Sequence, residues 1–157
     1  MNEIEKIPKD YHSITPALIV KNGDEAIEFY KNGFGVEERC RMKGPDGRVA
    51  HAELKLGDSV FMLSDEYPEM KCLSPKTIGG SPVSMYVYVD DVDSIFNKAV
   101  SAGAKELDPV KDQFWGDRQG RLEDPFGHLW SIATHKKDLS EEEMKKAAEA
   151  AFSQMSK

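Results

Sequence analysis

Residues 51–56 read HAELKL, and they hold the first pair of side chains with chemical reach. His51 and Glu53 stand two residues apart. Alternate side chains of a strand share a face, so an imidazole and a carboxylate would lie side by side there. That pair suits an acid–base couple, in which the carboxylate orients the imidazole, or two ligands of a cation. It equally suits a hydrogen-bonded structural pair, and spacing alone does not choose. His12 precedes the first strand and reads as a surface residue. His128 follows the turn glycine Gly127 and is expected to fasten a hairpin. His135 ends the last strand and is expected to be solvated.

A second chemical stretch is DQFWGDRQGR, residues 112–121. Phe114 and Trp115 sit at a hairpin tip, placed either to close over a ligand or to bury against the protein. The planar guanidinium of Arg121, or of Arg118, matches a carboxylate or phosphate through two parallel bonds. Ordinary ion pairs with Asp117, Glu123 or Asp124 are the alternative. Nucleophile-elbow, phosphate-loop and dinucleotide signatures are absent. Cys40 and Cys72 have neither CxxC nor zinc spacing and are expected to be free thiols of a reducing compartment.

The elements that must position these residues come twice. ITPALIV and VSMYVYV are short apolar strands, each followed by an acidic turn and an amphipathic helix pattern. Ala26, Ile27, Tyr30 and Phe34 mark one helix; Val92, Ile95, Phe96, Ala99 and Val100 mark the other. Gly33 and Gly103 are the expected helix stops, since glycine suits the left-handed position there. Three strands follow each helix, near 36–43, 48–56 and 59–64, then 105–113, 118–123 and 128–134. Their turns are GPDG, GD, WGDRQG and DPFG.

The predicted organisation is an N-terminal arm (1–12), a βαβββ module (13–64), a linker (65–81), a second βαβββ module (82–135) and a C-terminal helix (136–157). The linker, with Pro68, Pro75, Gly79, Gly80 and Pro82, is expected to cross the surface irregularly. In the tail, Ser140 and Glu143 form a capping box, and Leu139 with Met144 can staple it. Met144, Ala147, Ala148, Ala151, Phe152 and Met155 trace one stripe, to pack on the same chain or to reach a second subunit.

The 157-residue chain carries a net charge of −7, which argues against nucleic-acid and anionic-membrane partners. No apolar run reaches the roughly 20 residues that span a bilayer. The sequence MNEIEKIPKDYHS has no secretory signal pattern, so a cytoplasmic location is expected.

Paired βαβββ modules with EAIEFYKNGFG after the first strand resemble the vicinal oxygen chelate superfamily, which includes glyoxalase I, bleomycin-resistance proteins and extradiol dioxygenases. HAELKLGDSVFMLSDE, GGSPVSMYVYVDDVDSIFNKAVSAGA, DQFWGDRQGRLEDPFGHLWSIATH and the tail EEEM are similar to its PhnB-like, glyoxalase-like branch. The resemblance covers about residues 11–146. It implies an α+β fold in which curved mixed sheets form a cup, helices cover the outside, and the ligand or metal lies inside. Strand alternation then puts Trp130, Ile132, Ala52, Leu54, Leu56, Phe61, Leu63, Met85, Val87 and Val89 in the core. The cup face receives His51, Glu53, Lys55, Val60, Met62, Ser64, Ser84, Tyr86, Tyr88, Leu129, Ser131 and Ala133.

Metal-using members place His, Glu or Gln at four positions, which correspond here to Thr15, Met62, Ser84 and Ser131. Three hydroxyls and a thioether are poor ligands for a catalytic divalent ion. No metal or other cofactor is therefore expected, with a displaced divalent ion the disfavoured alternative. Met62, Ser84, Tyr86, Tyr88, Trp115, Arg121 and Ser131 are the expected ligand contacts, since apolar walls with a few polar groups make a small-molecule pocket. The favoured reading is a bleomycin-resistance-like protein that binds a small molecule. The alternative is a glyoxalase-like lyase, isomerase or dioxygenase with His51 and Glu53 in acid–base or metal roles. Family members commonly pair, some by exchanging modules, so a homodimer is expected.

Overall fold

The computed structural model describes residues 3–156; the ends of the expected arm and tail, residues 1–2 and 157, lie outside them. The first module comprises β1 (Ala17–Val20), α1 (Gly23–Phe34), β2 (Glu37–Lys43), β3 (Val49–Leu56) and β4 (Ser59–Asp65). The second comprises β5 (Ser84–Tyr88), α3 (Val92–Ser101), β6 (Lys105–Asp112), β7 (Asp117–Glu123) and β8 (Leu129–His135). The sheets have the orders β1-β4-β3-β2 and β5-β8-β7-β6. In each, the strand before the helix pairs parallel with the last strand, and the other pairings are antiparallel. This is the two-module α+β fold that the repeat implied.

Local chemistry sets the helix ends. Asn22 caps α1 by accepting from the Glu25 amide at 3.3 Å, and Asp24 and Glu25 occupy the dipole-favoured first turn. The expected stop at Gly33 is two residues early. The helix ends at Phe34, and Gly35 is the left-handed cap at φ 69°. Gly33 has a packing role instead, since a Cβ there would stand 3.3 Å from the Ala99 Cα of α3. The second stop falls as expected, with Gly103 at φ 122° just past α3.

The two helices touch each other, and one apolar core joins both modules. Trp130 of β8 lies 4.7 Å from the Phe34 ring, 5.6 Å from Tyr30 and 6.0 Å from Phe61, centroid to centroid. Such tilted and edge-on contacts suit the ring quadrupoles. Trp130, Ile132, Ala52, Leu54, Phe61 and Leu63 are buried as alternation required, while Leu56, Met85, Val87 and Val89 pack at the core margin. Val60, expected on the cup face, is buried.

A polar hub locks this core. Asp124, in the DPFG turn, accepts from the Tyr30 hydroxyl at 2.6 Å and the Trp130 indole at 2.8 Å. It also accepts from the amides of Phe126 and His128. Burial, then the Asp124 carboxylate, pushes the Tyr30 phenol well above its ordinary pKa. The His128 ring donates to the Ile19 carbonyl at 2.8 Å, so it fastens the second module to β1 as well as closing its own hairpin.

The linker is more ordered than its composition suggested. It holds a 3₁₀ turn (Pro68–Met70) and a short helix, α2 (Pro75–Ile78). Glu66 accepts from the Ser74 amide and the Thr77 hydroxyl. Ser74, through its side chain first and its amide second, and then Thr77 hold the Glu66 carboxyl down at about 2. The tail forms α4 (Glu141–Met155) with the predicted capping box. Its apolar stripe is largely open: no α4 residue is buried, and Phe152 meets Phe114 edge-on at 5.6 Å.

Candidate functional site

The strand faces turned away from the helices carry the polar and aromatic residues of interest. On the second sheet they converge on Asp117. This carboxylate begins β7, opposite His135 of β8, and is 2% exposed. Its Oδ2 accepts from the Tyr86 hydroxyl at 2.8 Å, the Tyr88 hydroxyl at 2.9 Å and the Trp115 indole N–H at 3.1 Å. Its Oδ1 accepts from His135 Nδ1 at 2.8 Å. Burial alone would raise the Asp117 pKa, but the bonds from His135, Tyr86, Tyr88 and Trp115 outweigh it and hold the carboxyl below its usual range. Both tyrosines shift the other way, Tyr86 mainly through burial and Tyr88 mainly through its bond to Asp117.

The histidine at the strand end is therefore not simply solvated. His135 also donates from Nε2 to Asp138 at 2.8 Å. Only the imidazolium has N–H on both nitrogens, so two carboxylates at once favour the charged form. Its pKa is accordingly raised, first by Asp117 and then by Asp138.

This anchoring has a geometric consequence. Tyr86 and Tyr88 alternate with Met85 and Val87, so both rings stand on one side of β5, 5.4 Å apart. Their hydroxyls are fixed on a buried charge, yet the residues remain 44% and 61% exposed. Held aromatic faces thus point at solvent beside a 590 Å³ cleft. Tyr86, Tyr88, Ile14, Leu56 and Val60 give that cleft apolar walls, and Asp58 lies at its turn. This volume falls within the range typical of small-molecule sites.

The remaining expected contacts divide between places. Ser131 is 6% exposed and lies opposite both Tyr86 and Arg121 in the ladder, beside the cluster. Ser84 is exposed opposite Leu129. Arg121 pairs with Asp108 at 2.9 Å, rather than with the three acids proposed from sequence. Arg118 grips Asp93 of α3 through two bonds and so serves the helix-covered face. Phe114 packs against Trp115 and Phe152. Met62 and Thr15 border a different groove of 670 Å³, with Glu53, Arg39 and Tyr11 of the N-terminal arm. His51 donates to Glu53 at 3.3 Å, and both are partly exposed on that first-sheet face. The Glu53 carboxyl is held low by Tyr11 first and His51 second.

Donor chemistry at the four family metal positions can be tested directly. Thr15 gives its hydroxyl to the His12 carbonyl at 3.3 Å. Met62 offers only a thioether, and Ser84 and Ser131 only hydroxyls. This donor set does not fit the usual divalent ion of the family.

Sequence reasoning missed Asp117 as the organising residue and His135 as its partner. The available signal was alternation: Asp117, Gln119 and Arg121 share one face of β7, and the first of these falls opposite the last residue of β8.

A family model for the glyoxalase/bleomycin resistance protein/dioxygenase superfamily matches residues 12–132. An uncharacterised protein of Mycobacterium bovis is 38% identical over 138 residues, which cover 86% of this chain and 91% of that one. One from Arabidopsis thaliana is 30% identical over 129 residues, or 78% of this chain and 76% of its own. Among solved structures, TioX from Micromonospora sp. ML1 superposes with a TM-score of 0.62 at 26% identity, covering 82% of this chain and all of that one. A PhnB protein from Bacillus cereus shares the fold, with a TM-score of 0.60 at 22% identity over 78% of this chain and 99% of its own. With its paired modules, shared core and matching family model, the chain belongs to the glyoxalase/bleomycin resistance protein/dioxygenase superfamily.

Proposed function

We propose that this protein binds a small, largely apolar or planar molecule at the cleft beside Tyr86 and Tyr88, without the family's usual metal. The observation that carries this reading is the pair of exposed rings whose hydroxyls are pinned to buried Asp117. A platform ordered in advance loses little side-chain entropy when a flat ligand stacks on it. Trp115 extends the platform, because its indole reaches the Tyr86 hydroxyl at 3.2 Å.

The test is a panel of planar heteroaromatic compounds read by thermal shift and tryptophan fluorescence. The chain has two tryptophans, Trp130 in the wall of the cleft and Trp115 against the Tyr86 hydroxyl, so quenching of either reports on this site. A binder should raise the melting temperature and quench that signal in chelator-treated protein. The response should vanish in Tyr86→Ala/Tyr88→Ala. An undiminished shift in that double variant, or one abolished by chelator, would refute the reading.

The same reading includes a homodimer. β1 and β5 are both edge strands, and Ile14 and Val83 near their starts are 87% and 62% exposed. Pairing would cover that apolar surface. Sedimentation of the purified protein should give twice the chain mass. A monomer there would remove the dimer and leave the ligand site to be judged by its own test.

A further inference from the structure

The first sheet holds a second cluster, unlike the one at Asp117 in its chemistry. Cys40 Sγ, a ring nitrogen of His51 and a carboxylate oxygen of Glu53 all lie within 4.8 Å of one another. Sulfur, nitrogen and oxygen donors meet there on one face.

A backbone irregularity brings them together. The β2–β3 pairing steps from Glu38 opposite Leu54 to Cys40 opposite Glu53, leaving Arg39 as an extra residue. In an unbroken ladder Arg39 would oppose Glu53, and Cys40 would oppose Ala52, which is fully buried on the helix side. The bulge moves Cys40 onto the face of Glu53, and His51 joins them two residues along β3. Bulges commonly re-aim a side chain in this way next to functional sites.

The Tyr11 hydroxyl of the N-terminal arm lies against the same carboxylate and borders the same groove as Glu53, Arg39 and Met62.

We propose that Cys40, His51 and Glu53 bind a borderline-soft divalent cation of the zinc class. Thiolate, imidazole and carboxylate together select such an ion over magnesium or calcium, which require oxygen shells. Tetrahedral coordination at the usual bond lengths places ligand atoms about 3–4 Å apart. His51 and Glu53 already stand at 3.3 Å, so closure needs movement of roughly 1 Å, mainly by Cys40. All three residues are partly exposed, which leaves the ion a path in. Glu53 faces Met62 across the ladder. The site therefore shares a sheet face with a family metal position and lies one to two strands nearer the β2 edge. It does not depend on ligand binding at Tyr86 and Tyr88.

Full-length protein, stripped with chelator, would be titrated with Zn²⁺ against a chromophoric competitor, and with Co²⁺ as a spectroscopic probe. One equivalent of each ion should bind. Cobalt should give a near-ultraviolet thiolate charge-transfer band, and zinc should shield Cys40 from alkylation in the unaltered protein. Cys40→Ser should abolish that band. His51→Ala and Glu53→Gln should each weaken zinc binding by about tenfold or more, whereas Cys72→Ser should leave it unchanged. Circular dichroism confirms that each variant is folded, and shielding in the unaltered protein needs no variant. Absence of stoichiometric binding, cobalt bound without the thiolate band, or zinc binding undiminished in folded Cys40→Ser would each overturn the assignment.

Discussion

Replacing Asp117 with alanine tests the aromatic platform at its anchor. The substitution removes an acceptor shared by Tyr86, Tyr88, Trp115 and His135. Tyr88 and His135 are open enough for water to replace what they lose, so they are left out of the estimate. Tyr86 and Trp115 each lose a bond to a charged acceptor, at about 1.5 kcal/mol apiece, or about 3 kcal/mol together. In a domain of this size each kcal/mol moves the melting temperature by about 2–4 °C, so the expected fall is about 6–12 °C. Asp117→Asn should cost less, about 1 kcal/mol, because the amide carbonyl can still face the tyrosines and only the charge assistance is lost. Calorimetry gives the shift, and tyrosine absorbance gives an independent readout. With the negative charge gone, Tyr86 and Tyr88 should ionise at lower pH in both variants. Melting of Asp117→Ala within a degree of the parent protein, with an unchanged tyrosine titration, would refute the hub.

Three further outcomes follow from the same contacts. His135 has a raised pKa, so its link to Asp117 and Asp138 contributes fully below about 6.5. That contribution is lost as pH rises through the raised value; NMR titration should show the elevation, and Asp138→Asn should reduce it. Asp124→Asn removes the charge that holds Tyr30 and Trp130, and should cost more than about 3 kcal/mol by chemical denaturation. Gly120→Ala would put a Cβ 2.8 Å from both Phe96 Cε2 and Val110 Cγ2; a loss of about 1–3 kcal/mol is expected, and unchanged stability would mean that α3 shifts freely.

Much of the architecture was legible because it rests on local signals. Period-two alternation assigned Trp130, Ile132, Leu54 and Leu63 to the core, and the Ser140–Glu143 capping box marked the start of α4. The site was harder for three physical reasons. Asp117 meets Tyr86 and Tyr88 across 31 and 29 residues of sequence, and no local pattern encodes such a bond. Cys40 reaches the His51–Glu53 face through a bulge, which reverses the side that alternation assigns. Arg121 finds Asp108 on β6, whose irregular register the sequence did not announce. The glycine error was of another kind: NGFG offers two glycines near one helix end, and Gly33 was needed for the contact with α3.

The seam around Trp130 also bears on how the chain is made. Synthesis delivers Tyr30, Phe34 and Phe61 long before the indole they pack against. While the second half is still being translated, that part of the first module stays uncovered and open to chaperones or to misassembly. The two halves repeat each other in design, yet the core of the first closes only after the second has been read as far as Trp130.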